Sequence, residues 1–173
     1  MGLVKVITQS DADYDYVINC QNYVTVNPDT RYYWAYNADP IQFFEQCMIV
    51  RSYFGKMSGN QLVHFVIVLD NRYRNITAAI KAAHKIAEFY KDRYQIIFGI
   101  HEKCMKNKHG KLRSYYHIHM IMNTVSIQDG KMFSATMTEL SQFMNHIKSV
   151  TGDYKLQLKF GHGKDDSDDD DEY

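Results

Sequence analysis

Tyr115-Tyr116-His117-Ile118-His119-Met120-Ile121-Met122-Asn123 is the stretch around which the chain is organised. Aromatic and branched residues dominate it and it holds no Pro or Gly, so it reads as a β-strand. Side chains alternate faces along a strand, so His117 and His119 point one way and Ile118 the other. Two imidazoles at that spacing can hold one metal ion between them. A third ligand comes from the preceding apolar run, Gln95-Ile96-Ile97-Phe98-Gly99-Ile100, which ends on His101. If the two runs pair antiparallel across a loop at 102–113, His101 reaches the pair. The competing reading is three polar residues on a solvated sheet face. The His-apolar-His spacing beside a His-ended strand favours the metal.

At 173 residues the chain suits one domain with a real core. Its zero formal charge conceals a split. Seven acids stand in residues 165–172, and without them 20 basic residues face 13 acidic ones, a net +7 for the body. A basic body favours a polyanionic partner such as nucleic acid. The 14 tyrosines suit a surface that stacks or hydrogen-bonds. Cys20, Cys47 and Cys104 are few, odd in number and widely spaced, the usage of a reduced cytoplasmic protein without a structural zinc. The start of the chain turns polar too early for a secretion signal, and no apolar run approaches membrane-spanning length.

In chain order, residues 3–8 read as a strand. Ser10 caps a helix over 11–20, with Asp11 and Asp13 in its first turn. Asn27-Pro28-Asp29 is a turn signal. Residues 31–36 form a short strand or arm. Asp39 caps and Pro40 opens a helix ended by Gly55, with a core stripe of Ile41, Phe44, Met48 and Val50. In the strand 61–70, Val63, Phe65, Ile67 and Leu69 share one face; His64, Val66 and Val68 share the other. Asn75 or Thr77 caps a helix through 91, and strand 94–101, the basic loop and the His strand through Val125 follow. Thr138 caps a helix broken at Gly152, and 154–160 alternates as a last strand. The short connection between the two His-bearing strands demands an antiparallel pair. The fold class is therefore α+β, a mainly antiparallel central sheet of about five strands with helices packed on it. Residues 1–162 form the domain, and 163–173 form an acidic tail expected to be disordered. That tail either competes for the basic surface and restrains DNA binding or serves solubility alone.

His117-Ile118-His119 resembles the His-hydrophobe-His pair that names the HUH endonucleases. Phe98-Gly99-Ile100-His101, the His strand ending in Asn123, Ser126 and Asp129-Gly130-Lys131 together resemble the relaxase/mobilisation nuclease family of plasmids and integrative elements. Tyr16-Val17-Ile18-Asn19 is similar to the family's early Tyr-Ile-x-Asn segment, which carries the catalytic tyrosine. Tyr36-Asn37 and Phe54-Gly55-Lys56 are similar to later blocks, and His64 falls in the family's His-bearing strand. Several features depart from the pattern. Lys103 stands where the family usually has Asp, Tyr115 where it often has another His, and the loop after His101 is longer.

The resemblance implies site- and strand-specific nicking and rejoining of single-stranded DNA at a transfer origin, in plasmid or mobile-element mobilisation, with accessory mobilisation proteins as further partners. A Tyr hydroxyl attacks phosphorus, the 3′-hydroxyl leaves, and a 5′-phosphotyrosine conserves the bond for rejoining. Tyr16 is the expected nucleophile over Tyr14, which lies about 200° away on a helix. His101, His117 and His119 would hold the divalent ion, and imidazole donors suit Mn²⁺ better than Mg²⁺. His64 either orients a ligand, binds phosphate or is a satisfied core His. Asn123 either bonds within the site or ends its strand. Lys103, Lys106, Lys108, Lys111 and Arg113 beside the site, with Trp34 in the aromatic run Tyr32-Tyr33-Trp34-Ala35-Tyr36, suggest phosphate steering and base stacking on a single strand. His84, His109, His146 and His162 read as surface. Rolling-circle initiators and small single-strand transposases of the HUH class are the nearest rivals, but they place the Tyr after the His pair. A non-catalytic DNA-binding module is the rival of another class.

Overall fold

A computed structural model of the protein describes residues 2–8, 14–70, 73, 75–106 and 110–162. The elements are β1 (Leu3–Thr8), α1 (Tyr14–Thr25), β2 (Thr30–Tyr36), α2 (Phe43–Tyr53), β3 (Leu62–Val68), α3 (Ile76–Ala87), β4 (Ile96–Lys106), β5 (Leu112–Asn123), α4 (Met137–Thr151) and β6 (Gln157–His162). All six strands join one sheet in the order β2-β4-β5-β3-β1-β6. Every pairing is antiparallel except that of β1 with β6. The α+β class and the mainly antiparallel sheet are those expected, with six strands in place of about five. No helix among the described residues is long and apolar enough to cross a membrane.

Period-two alternation assigns the two faces of the sheet. Val63, Phe65 and Ile67 of β3, Ile96, Phe98 and Ile100 of β4, and Ile118, Met120 and Met122 of β5 bury against α3 and α4. Each such side chain, fully buried, contributes about 1.5–3 kcal/mol of transfer free energy. The opposite face carries a smaller cluster. There Leu62, Ile97 and Ile121 meet Val17, Cys20 and Val24 of α1 and Phe43 and Cys47 of α2. This second face also carries the histidines of β3, β4 and β5.

Several boundaries differ from the sequence reading. α1 runs over Tyr14–Thr25 rather than 11–20; Ser10, Asp11 and Asp13 lie outside the described residues. α2 starts at Phe43, because Asp39 Oδ1 accepts from the Ile41 and Gln42 backbone and closes a turn ahead of the helix. The late start rotates the buried stripe to Phe43, Cys47 and Arg51. Arg51 is tolerated there because its guanidinium donates to the Ser58 carbonyl and to Thr124 Oγ1, both at 3.0 Å. Asn75 caps α3, accepting from Ala78 N, and the helix stops at Ala87, short of 91. Thr136 rather than Thr138 caps α4, while Gly152 ends it in the left-handed region as expected. β5 stops at Asn123, and β6 starts at Gln157. The largest correction concerns 102–113. Most of it is strand, with Lys103 opposite Tyr115 and Met105 opposite Arg113, so β4 and β5 extend past their neighbours as a two-stranded ribbon. Lys108, His109 and residues 163–173, the expected tail, lie outside the described residues.

Gly99 decides how closely α1 approaches the sheet. It sits on the α1 face of β4, between Ile97 and His101. A Cβ at this position would lie 2.5 Å from the Val24 carbonyl oxygen and 2.9 Å from Val24 Cγ1. The last turn of α1 therefore rests on bare β4 backbone. Gly99→Ala is expected to lower stability by about 1–3 kcal/mol through overpacking, and Gly99→Val by more, read as a fall in the denaturant midpoint. Wild-type stability in Gly99→Val would show that nothing rests on this position.

Candidate functional site

The register of β4 and β5 builds the site. His101 stands directly opposite His117, and Gly99 opposite His119. All three imidazoles therefore project from the α1 face of two adjacent strands. The ring centroids of His101 and His119 are 4.3 Å apart and those of His117 and His119 6.4 Å apart. All three residues are buried. His64 of β3 projects from the same face, and its Nε2 lies 3.1 Å from His119 Nδ1. Thus His101, His117 and His119 come together, and His64 joins them through His119.

The empty position at Gly99 is bordered by His101 and His119, and α1 fills it. The Tyr23 ring packs 4.8 Å from the His101 ring and 5.0 Å from that of His119, centroid to centroid. Its backbone hydrogen-bonds the His101 ring. Thr30 Oγ1 lies 3.0 Å from His101 Nε2 and also donates to the Val24 carbonyl, tying β2 and α1 to the same imidazole. Tyr23 remains 36% exposed, so its ring closes the site without sealing it.

Burial keeps His101 and His119 neutral. It pushes His101 down to about 4, aided by the neighbouring His117 and Lys103 charges and opposed by the Tyr23 backbone and Asp29. His119 falls well below the ordinary imidazole range, first through burial and then through His64, His101 and His117. Lys103, two residues along β4 on the same face, adds a further positive charge against protonation of both. Glu102, the nearest acid in sequence, faces the other side of the sheet and pairs with Arg31 at 3.0 Å. Neutral imidazoles are the form that ligates metals and accepts protons. The donor set therefore suits a divalent transition ion chemically, and the His64 contact at His119 Nδ1 leaves Nε2 as the ligating atom. As the rings stand, however, His101 is engaged with Thr30 and Tyr23. Among the described residues no three His, Cys, Asp or Glu side chains have their donors gathered as around an ion.

Other expected site residues fall elsewhere. Tyr16 lies on the same stripe of α1 as Cys20 and Tyr23 but about 10 Å along the axis from Tyr23. Its hydroxyl bonds the Cys20 thiol, and burial raises the phenol far above its ordinary value. The thiol in turn is pushed up to about 11 by burial. Asn123 is 0% exposed at the far end of β5, where its Nδ2 donates to Gln95 Oε1 at 2.9 Å and its Oδ1 accepts from Val125 N. It fastens the end of the strand, about 13 Å from His119. Trp34 sits on the opposite, α3-facing side of the sheet, in register with Phe98. Lys106, Lys111 and Arg113 are exposed on the ribbon and its turn. His84, expected at the surface, is half-buried between two phenols, whereas His146 lies outward with Nε2 2.8 Å from the Lys85 carbonyl. Sequence reasoning missed Tyr23 and Thr30. Ending the first helix at Cys20 left Tyr23 in a loop, although the spacing Tyr16, Cys20, Tyr23 (i, i+4, i+7) marks one helical face.

Comparison with known proteins adds one family and two solved structures of one relaxase. Residues 21–156 match the family model for relaxase, MobA/VirD2-like, nuclease domain. That span includes Tyr23 and all the histidines of the cluster and leaves out Tyr16. A search of curated proteins finds no match. Among solved structures, the chain is similar to the conjugative relaxase TrwC in complex with oriT DNA in its metal-bound form, at 11% identity and a TM-score of 0.47, covering 86% of this chain and 66% of that one. It is likewise similar to a copper-bound structure of the same complex, at 10% identity and a TM-score of 0.45, covering 86% and 67%. The chain thus spans about two thirds of the TrwC chains it resembles.

The geometry separates a structural Asn123 from the histidine cluster. Asn123→Ala is expected to leave Gln95 Oε1 without its donor and to lower stability by about 1–3 kcal/mol. DNA affinity of the folded protein, measured by anisotropy, is expected to stay at the wild-type value. A selective loss of DNA binding at unchanged stability would return Asn123 to the site.

Proposed function

Because this chain belongs to the relaxase family of MobA/VirD2-like nuclease domains, we propose that it nicks and rejoins single-stranded DNA by tyrosine transesterification. The observation that carries this reading is the Tyr23 ring packed against His101 and His119 on the neutral, buried histidine face. Tyr23, rather than Tyr16, is the nucleophile in this reading. The Tyr16 hydroxyl is engaged with a buried thiol and is harder to ionise than an ordinary phenol. Tyr23 stands at the mouth of the site, partly exposed, where a phosphodiester can reach it.

The Tyr23 Oη forms a bond to phosphorus, and the bond from phosphorus to the 3′ oxygen breaks. The departing 3′ oxygen takes up a proton and remains as a free hydroxyl. The phenol gives up its own proton as it attacks. A phenol with a pKa of about 10 is almost wholly protonated near neutrality, so an acceptor beside it matters. His101 and His119, kept unprotonated by burial, are committed to the ion and to their hydrogen bonds, so the phenol proton passes to water at the partly exposed mouth beside Tyr23. The product is a 5′-phosphotyrosine, and attack by a 3′-hydroxyl reverses the step.

His101, His117 and His119 would hold one divalent ion, with His64 fixing the ring of His119 through its Nδ1. Such an ion supplies Lewis-acid charge for the phosphoryl oxygens, and imidazole donors favour Mn²⁺ over Mg²⁺. Lys103 on the same face, with Lys106, Lys111 and Arg113 on the ribbon, supplies positive charge along the approach of the phosphates. The substrate class is single-stranded DNA at a transfer origin, cut during mobilisation of a plasmid or other element. A tyrosine on α1, ahead of the His pair, favours this order over the replication initiators and transposases. Of the tyrosines after the pair, Tyr154 is 78% exposed in the turn before β6 and Tyr173 lies outside the described residues.

Incubation with a labelled single-stranded oligonucleotide and Mn²⁺ is expected to give a covalent protein–DNA adduct that maps to Tyr23 by mass spectrometry. Tyr23→Phe is expected to bind the oligonucleotide and form no adduct, whereas Tyr16→Phe forms it. An adduct that survives Tyr23→Phe and maps to Tyr16 would reverse the assignment. Tight binding without cleavage across transfer-origin sequences would leave the non-catalytic DNA-binding module.

A further inference from the structure

We propose that the β2 edge carries a subsite for one unpaired nucleobase, stacked on Trp34 between Tyr32 and Tyr36. This rests on the single-strand reading above and adds a position away from the histidine face. Among the described residues β2 pairs only with β4, and no strand lies along its other edge. Tyr32, Trp34 and Tyr36 alternate onto the α3 side of that edge, in register with Ile100, Phe98 and Ile96.

His84 of α3 fixes the frame. Its Nε2 lies 3.0 Å from the Tyr32 hydroxyl and its Nδ1 2.6 Å from that of Tyr36. A neutral imidazole has one donor and one acceptor nitrogen, so one phenol donates to it and the other accepts from it. Both phenols are thereby pinned through one ring, and they flank Trp34 on either side along the strand. The end of the strand is pinned as well. Asn37, in the left-handed region at φ 59, donates from its side chain to the Lys91 and Tyr94 carbonyls.

Trp34 itself is 49% exposed, although its ring is only 5.9 Å from that of His84. A large flat ring held on a rigid frame with one face open is a stacking platform, and every base offers a π-face to it. A cation stands at each end, each paired with a carboxylate, Lys91 with Glu88 at 3.5 Å and Arg31 with Glu102 at 3.0 Å. Lys91 Nζ lies 5.9 Å over the Tyr36 ring, and Arg31 is partly exposed where β2 begins. The subsite also connects to the reaction centre. Thr30, whose hydroxyl touches His101, is four residues from Trp34, about 13 Å along the strand. A single strand lying along this edge would have one base anchored on Trp34 a few nucleotides from the phosphate at Tyr23. Trp34 would then help fix which phosphate is presented.

Trp34 is the protein's one tryptophan, so fluorescence excited at the red edge, beyond tyrosine absorption, reports on this site alone. Titration of the full chain with an unlabelled single-stranded oligonucleotide is expected to quench that fluorescence saturably, in step with binding followed by anisotropy of a labelled copy. Trp34→Ala is expected to weaken binding roughly 5- to 150-fold, the loss of one stacked base, and Trp34→Phe to restore part of it. His84→Phe, which releases both phenols, is expected to fall between. Anisotropy showing wild-type binding by Trp34→Ala, with wild-type fluorescence unchanged on saturation, would overturn the subsite and leave the single-strand reading intact. Quenching by duplex but not by single strand would overturn the unpaired base as its ligand. No binding of any oligonucleotide by anisotropy would overturn the single-strand reading and the subsite with it.

Discussion

The missing side chain at Gly99 is the constraint on which the site depends. β4 is buried on both faces, and at every other position from Ile96 to His101 a side chain stands between the sheet and what packs on it. At Gly99 the helix backbone comes down to the strand, so the last turn of α1 lies where a Cβ would otherwise be. Two consequences follow from that one contact. Tyr23 is carried against His101 and His119, and Thr30 is brought to His101 from the strand that follows the helix. A glycine inside a strand marks a place where another backbone approaches closely, and here that backbone is the last turn of α1.

The chemistry of the face follows from burial. Three histidines from paired strands, and a fourth from β3, crowd one another with only distant carboxylate charge to offset them. Under these conditions His101 and His119 stay neutral, and Lys103 reinforces that state. A relaxase pattern with Asp at this position would put a negative charge beside His101; this chain puts a positive one there. The cluster therefore relies on neighbouring imidazoles and the Thr30 hydroxyl, rather than on an acid, to orient its rings. The two aromatic assemblies lie on different faces, Tyr23 against His101 and His119 and Trp34 at the β2 edge.

Much of this was legible in the sequence. Alternation within His117-Ile118-His119 and a His at the end of the preceding apolar run suffice to place the three imidazoles on one face, because strand periodicity is local. The faces of β3 and the Gly152 stop were equally readable, and the α3 cap was narrowed to Asn75 or Thr77. What the sequence withheld depended on register or on an element's end. Cross-strand pairing carries β4 to Lys106 through a charged segment that looks like a loop. Packing over Gly99 and the far turn carries α1 past Cys20 to Thr25, and only then does Tyr23 face the sheet. Asn123 looked like a site residue because it ends the His strand, yet the buried amide of Gln95 claims it. His84 gave no local signal at all, since its two phenols come from a strand about fifty residues earlier.

The central claim is that a divalent ion is held by the histidine face within contact range of Tyr23. Paramagnetic broadening tests it directly. In the ring-labelled 173-residue chain, traces of Mn²⁺ are expected to erase the Tyr23 ring resonances and those of His101, His117 and His119. The Tyr53 and Tyr154 rings, exposed on other elements, are expected to stay sharp. A Tyr23 ring left sharp while Mn²⁺ broadens groups away from these histidines would contradict the account.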